Sequence, residues 1–321
     1  MRYKRECGVA LLIAMVVMAI AATLSTAMIW NRELDIRRFA NIKQGDQALE
    51  YALGAEAWAE QILRRDVQSN GNNTNLTQDW AMQLPSLPVE GGSITGNLQD
   101  LQGLFNVNNL ASKKPGEAVA ARTQFQRLLV NLNLDPEIAN AVYDWVNAGD
   151  QPTNNPGGAK DEFYTQLVPP YLTAEQPMTS ISELLLVKGV TPQVYLTLLP
   201  NVCALPLIDP GSTANTVMHA TVININTAPA AVIASLNLGI SLSTAEAAVQ
   251  TRTQHVFQSF QELTILGISA APGIPPPTVT SSYFRLTALV QIGDTQITLY
   301  SLLYRAENGA TIAIRRTYGT L

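Results

Sequence analysis

Apolar and polar positions alternate in distinct regimes along the chain. The first eight residues carry Arg2, Lys4, Arg5 and Glu6 and end at Gly8, whereas the 21 positions from Val9 to Ile29 contain no ionisable side chain. At about 1.5 Å rise per residue that run makes a helix roughly 31 Å long, enough to cross a hydrocarbon core of about 30 Å. Beyond Arg32 the pattern turns amphipathic. Ile42, Leu49, Leu53 and Ala57 recur at spacings of seven and four, and Glu60 and Arg64 stand as an i,i+4 pair on another face. The spacing predicts one helix, half in lipid and half on a soluble domain, to about Asp66. Ser69-Asn70-Gly71-Asn72-Asn73-Thr74-Asn75, rich in turn formers, ends it.

The other end of the chain reads as strands. Tyr283 to Ile292 leads to Gly293-Asp294, Thr295 to Arg305 leads to Asn308-Gly309, and Ala310 to Tyr318 follows. Both junctions are hairpin dipeptides, so an antiparallel meander is predicted. Gly92 to Asn106, with Ile94, Leu98, Leu101, Leu104 and Phe105 among turn residues, is its expected strand-forming partner from the front of the chain.

Between these segments lies an internal near-repeat. Phe105-Asn106-Val107-Asn108-Asn109-Leu110 is echoed by Ile223-Asn224-Ile225-Asn226-Thr227-Ala228. Helical patterns follow each copy: Phe125 to Leu132 and Pro136 to Val146 after the first, Ala230 to Leu236 and Thr244 to Arg252 after the second. The Asn and Thr side chains are expected to cap those helices. Ser180 to Leu199 adds two short helices around Gly189, and Ala271-Pro272-Gly273-Ile274-Pro275-Pro276-Pro277 closes the helical region, being neither helix nor central strand.

Composition fits a tethered folded domain. Hydrophobic residues make up 47% of the 321, enough for real cores with the span set aside. The net charge of -5, from 20 Lys+Arg against 25 Asp+Glu, with no basic block after the leader, argues against sequence-independent nucleic-acid binding. Of the two cysteines, Cys7 precedes the apolar run, where a lipobox cysteine would follow it, and Cys203 reads as a small apolar core residue. Arg2, Lys4 and Arg5 leave the leader in the cytoplasm and send the remainder across the membrane by the positive-inside bias.

A basic leader closed by glycine ahead of the apolar run resembles a type IV prepilin; a plain single-pass anchor or uncleaved signal anchor is the simpler alternative. The resemblance implies cleavage between Gly8 and Val9 by a prepilin peptidase and N-methylation of Val9. It also makes Ile13 the fifth mature residue, where pilins usually carry glutamate. A carboxylate at membrane depth costs about 2.5–3.5 kcal/mol and is expected only where it has a partner. In pilins that partner is the N-terminal amine of the subunit above, so a subunit lacking the carboxylate suits a fibre tip.

Over nearly its full length the chain resembles the minor pseudopilin K family of type II secretion, also called general secretion pathway protein K. The resemblance is carried by the leader, Ile13, Phe105 to Leu110, the block from Asp144 to Tyr171, Ser182-Glu183-Leu184 before Val187-Lys188-Gly189-Val190, Ile223 to Pro229, and the last strands. It implies an α+β, type IV pilin-like fold with a large all-α insertion. The expected organisation is a leader at 1–8, a transmembrane helix at 9–29 and its periplasmic continuation at 30–66. A β domain from 67–106 and 276–321, and a helical insertion at 107–275, complete it. The implied place is the inner membrane, with a cytoplasmic N-terminus and a periplasmic domain that enters the pseudopilus. The implied partners are minor pseudopilins I and J with H, the major pseudopilin G, the prepilin peptidase, the inner-membrane assembly platform, and the secretin or exported proteins.

Chemistry is sparse. His219 and His255 are far apart with no motif around either, and no Walker loop or metalloprotease helix is present, so no enzymatic activity is expected. One constellation suits a hard cation: Asp144, Asn147 and Asp150, then Asp161 and Glu162, in a Pro/Asn/Gly loop after a helix. The family resemblance implies calcium there. Helix capping with a solvated acidic loop reads from the same residues. Two other functions stay open: a minor pilin of a type IV pilus, and a membrane-anchored DNA receptor, because the Asn-x-Asn-Thr-Ala entry and the helices up to Leu263 look like helix-hairpin-helix modules. Gly239-Ile240-Ser241 stands where those modules usually carry glycine-x-glycine.

Overall fold

The computed structural model describes residues 7–149, 151–153, 155–212 and 217–319, the side chains of Cys7, Gly8 and Leu84 excepted. A single helix, α1 (Cys7–Asn70), runs for 64 residues and joins the apolar span to the folded part. It stops where Gly71 takes φ +65° and returns its amide to the Val67 carbonyl at 3.0 Å, a left-handed cap that glycine adopts without strain.

The C-terminal half of α1 lies on one face of a five-stranded antiparallel sheet ordered β1-β2-β5-β6-β7. The three terminal strands fall where the sequence puts them: β5 (Tyr283–Ile292), β6 (Thr295–Arg305) and β7 (Thr311–Tyr318). Strand β2 (Gly92–Asp100) pairs along its whole length with β5, from Gly92 opposite Ile292 to Asp100 opposite Phe284. The edge strand β1 (Leu84–Val89) adds to the expected elements, and its Pro85 and Pro88 are tolerated at a sheet edge. Phe105–Asn106 leaves this sheet as β3 and pairs in parallel with β4 (Val202–Cys203).

The helix face against the sheet differs from the expected stripe. Ile42 and Ala57 are exposed and Leu49 and Leu53 half-buried, while Ala48, Ala52, Ala59 and Leu63 are buried against Phe284, Leu286, Ala288, Val290, Leu299 and Leu303. The strands supply the bulk, so the helix must present small side chains to come close, and a pattern weighted to large apolar residues points to the wrong face. Glu60 and Arg64 form no ion pair among the described residues. A polar clamp sits in this seam instead: buried Glu56 takes the Ser301 hydroxyl and both Nε (2.9 Å) and Nη2 (2.7 Å) of Arg316.

Residues 105–274 enclose a second core. Its helices are α2 (Glu117–Asn131), α3 (Ile138–Val146), α4 (Asp161–Tyr164), α5 (Pro192–Leu198), α6 (Ala230–Ser235), α7 (Leu242–Gln254) and α8 (Phe260–Ile265). Phe105 stacks on Phe125 at 5.1 Å, with Leu128, Leu129, Val142, Leu184 and Ile225 fully buried around them. The short helices expected around Gly189 are a 3₁₀ turn at Ile181–Leu186 and α5.

The Asn repeat caps less than expected and clamps more. Asn106 and Asn224 each accept the amide two residues on, at 3.1 and 3.0 Å, and Pro229, with no side-chain bond, caps α6. The second asparagines grip distant backbone from both sides. Asn108 accepts from Met178 N (2.7 Å) and donates to Met178 O (2.9 Å); Asn226 does the same to Phe257 at 3.1 and 2.9 Å. Both are buried, so the two copies are equivalent amide clamps that hold loops onto their cores.

Sheet and helical region meet at a buried carboxylate. Asp100, at the end of β2, accepts from Gln102 N (2.8 Å), Asn224 Nδ2 (3.1 Å), Ser281 Oγ (2.6 Å) and the Thr227 hydroxyl. Cys203 lies in the apolar layer beside it with Leu101, Leu205, Tyr283 and Leu302, its thiol donating to the Leu101 carbonyl at 3.3 Å, in keeping with a core role.

Candidate assembly helix and cation loop

The expected processing and tip positions stand on the open part of α1. Gly8 falls in its first turn, and Val9 and Ile13 are exposed, the latter by 60%, as is the whole apolar window that could cross a membrane. Past the span, Trp30, Ile36, Phe39 and Ile42 are also exposed, each by more than 60%. Between them run only surface pairs, Glu33 with Arg37 at 2.6 Å and Asp35 with Arg38 at 3.6 Å, which contribute little singly. This stretch therefore offers large apolar side chains that the chain itself leaves uncovered.

The loop after α3 is organised by a buried lysine. Asp144, inside α3, accepts from Thr153 N (3.2 Å), Thr153 Oγ1 (3.4 Å) and Ala159 N (3.1 Å), which folds the loop back over its own helix. Two glycines permit the crossing. Gly157 takes φ +84° with Glu137 2.6 Å from where a Cβ would stand, and a Cβ on Gly158 would meet Asp144 Oδ2 at 2.5 Å. The loop then brings the Lys160 ammonium to the Asn147 carbonyl at the C-terminus of α3, where a cation complements the helix dipole. Glu175 closes the group, its Oε1 lying 3.5 Å from Lys160 Nζ and accepting from Gly149 N at 3.3 Å.

Burial outweighs these hydrogen bonds at Asp144 and raises its carboxyl above the ordinary value. At half-buried Asp161 the Thr173 hydroxyl (2.6 Å) and amide (2.8 Å) hold the carboxyl below it. Among the described residues, the expected calcium ligands Asp144, Asn147, Asp161 and Glu162 do not stand in one cage. Asp144 and Asp161 point their oxygens at backbone amides and threonine hydroxyls of different segments. Asn147 turns its amide to the Leu110 and Tyr143 carbonyls, and Glu162 is exposed. Asp150 lies outside the described residues. Among the described residues no three His, Cys, Asp or Glu side chains gather as metal ligands, and the positive charge at the loop's centre is that of Lys160.

Lys160 stood in the sequence beside Asp161 without any sign that it would be buried, and Glu175 carried no local signal at all. In the helix-hairpin-helix-like segment, Arg252 is turned inward onto the Ile225 (2.8 Å) and Ala228 (2.6 Å) carbonyls, with burial pulling it down to about 10. Gly239 N donates to Asn237 Oδ1 at 3.3 Å, so the hairpin amide that would meet a phosphate is engaged within the chain. Exposed His255 stands 3.2 Å from Glu262 and His219 is half-buried.

Two family models, both described as type II secretion system protein K, match residues 103–207 and 223–284. Proteins bearing that name are similar along almost their whole length. That of Aeromonas hydrophila is 32% identical with 98% of each chain covered, that of Pectobacterium carotovorum subsp. carotovorum 32% with 98% of this chain and 97% of its own, and that of Pseudomonas aeruginosa 32% with 97% and 92%. Among solved structures, a chain of the GspK-GspI-GspJ complex from enterotoxigenic Escherichia coli superposes with a TM-score of 0.69 at 23% identity, over 88% of this chain and all of that one, so the fold is shared.

Proposed function

The chain belongs to the type II secretion system protein K family, and from that membership we propose that it serves as the tip subunit of the secretion pseudopilus, a non-enzymatic assembly protein. As a minor pseudopilin it takes part in exporting folded proteins. The observation that carries the tip reading is α1: a membrane-long apolar segment with Ile13 in place of a carboxylate, continued by exposed Trp30, Ile36, Phe39 and Ile42 that only other subunits can cover.

On this reading the chain starts as an inner-membrane precursor with a cytoplasmic leader, is cut between Gly8 and Val9 by a prepilin peptidase, and is methylated at Val9. The domain beyond α1's apolar half lies in the periplasm. The solved relative was crystallised with GspI and GspJ, which supports minor pseudopilins I and J as first partners, with H and the major pseudopilin G below them and the assembly platform beneath. The helical insertion, by its bulk, stops addition of a subunit above.

Co-purification from membranes of the full chain with the I and J pseudopilins of its own organism tests this. A complex that survives in detergent supports it. Capture of type IV pilus minor pilins in place of I and J would move the chain to a pilus, and deletion of residues 107–275 without change in fibre length or secretion would end the blocking role.

A further inference from the structure

The arginines on the last strands meet different fates. Arg305 and Arg316 are paired with Asp66 and Glu56. Arg285 and Arg315 form no ion pair among the described residues, and both line one cleft of about 150 Å³ between the outer face of the sheet and the inserted region.

Their convergence follows from register. Arg285 on β5 is opposite Leu302 on β6, which is opposite Arg315 on β7, so both guanidinium groups rise from the same face on either side of Leu302. With strands about 4.8 Å apart, the two Cα atoms are about 10 Å apart, a span that two arginine side chains close around one small group. Tyr300 and Thr317 line the cleft from the sheet, and Thr179 and Ser180 roof it from the inserted region. Arg285 Nη2 donates to Gln99 Oε1, but its Nε is buried with no partner among the described residues. Among the described residues Arg315 reaches only the Ala204 carbonyl, at 3.4 Å.

Among the described residues no carboxylate lines the cleft. Glu183, the nearest acidic influence on Arg315, has Oε1 held by Thr179 N (2.7 Å), Thr179 Oγ1 (2.9 Å) and Ser180 N (3.2 Å). Burial pulls both arginines below their ordinary value, the mark of cations taken out of water without full compensation. A desolvated guanidinium with an unused N–H is the donor geometry that planar carboxylates accept.

We propose that this cleft is a carboxylate-binding site, its occupant a carboxylate brought from outside the chain and held between Arg285 and Arg315. A free small carboxylic acid and an acidic side chain of another polypeptide share that chemistry. Full-length protein in detergent, at fixed ionic strength and pH 7, would be titrated with malonate and with an acetylated, amidated triglutamate peptide, reading binding heat and melting temperature. We expect saturable binding of at least one probe, weakened at least about tenfold in R285Q and in R315Q, each removing a charge-assisted bond, and unchanged in R65Q, a control on exposed helix surface. Malonate binding alone assigns the site to free acids; peptide binding assigns it to a polypeptide. If R285Q does not fold, R315Q on the outermost strand decides. No saturable binding of either probe, or binding untouched by R315Q, overturns the proposal.

Discussion

Arg305 Nη1 lies 2.9 Å from Asp66 Oδ2, with both side chains almost wholly buried, and this pair pins the end of α1 to the end of β6. Arg305 also donates to Thr74 Oγ1 (2.6 Å) and the Ser281 carbonyl (3.0 Å) and lies 4.7 Å from the Phe284 ring. Removing one member strands a buried charge, a loss of about 3–5 kcal/mol, whereas replacing both with apolar residues costs far less. Asp66→Ala is therefore expected to lower the urea midpoint sharply and Asp66→Leu with Arg305→Met to recover most of the loss. Equal damage in the single and double variants would show that the packing, not the charge, matters here.

Asp100 gives a signed dependence on pH. Its burial outweighs four hydrogen bonds, so its carboxyl pKa is raised above 3.8. The folded chain then holds that proton more tightly than the unfolded chain, and stability from this group rises as pH falls through the raised value, levelling off below 3.8. Asp100→Asn removes the titration and turns an amide donor toward Asn224, Thr227, Ser281 or Gln102, costing about 1–3 kcal/mol at neutral pH. Acidification from pH 7 toward 4 should widen the stability gap between wild type and D100N; a gap that narrows would mean the hydrogen bonds win over burial.

Lys160 is expected to act as the cation of its loop. Lys160→Met leaves the Asn147 carbonyl without its donor and takes the cation from the Glu175 carboxylate, worth about 1–3 kcal/mol, and should lower the melting temperature by a few degrees. Wild-type melting curves in calcium and in chelator decide whether the loop also takes a divalent ion, and coincident curves would remove that reading. A rise in calcium that Asp150→Ala abolishes would show that a divalent ion uses the loop through a ligand beyond the described ones.

Elements were legible wherever local pattern decides them: the apolar span, the Gly293-Asp294 and Asn308-Gly309 hairpins, and a strand beginning at Gly92. Features set by distant residues were not. The face of α1 depends on bulk contributed by strands more than 200 positions away, so Ala48 and Ala52 outrank Leu49 and Leu53. Asn108 and Asn226 looked like caps because their grip on Met178 and Phe257 depends on where later loops return. The acidic run at 144–162 showed its charges but not that Lys160 would be buried among them.

The asparagine clamps can be tested as a pair. Asn226→Asp keeps the acceptor for Phe257 N and turns a carboxylate oxygen on the Phe257 carbonyl in place of a donor, and Asn108→Asp does the same at Met178 and Leu205. Each is expected to lose about 1–3 kcal/mol in chemical denaturation. If the two copies are equivalent the losses should be similar; a near-neutral N226D beside a damaging N108D would mean that only the first copy supports its core.

Ile13 carries the last prediction. It stands exposed, one turn after Val9 on the part of α1 that is long and apolar enough to cross a membrane. A carboxylate there costs about 2.5–3.5 kcal/mol in the membrane unless a neighbouring amine accepts it. A subunit added beneath a predecessor recovers that cost by pairing with the predecessor's N-terminus, but a tip subunit has no such amine. Ile13→Glu should therefore leave incorporation into the pseudopilus unchanged or reduced, measured as the ratio of this subunit to the major pseudopilin in sheared fibres. A marked gain would show that another subunit precedes this one.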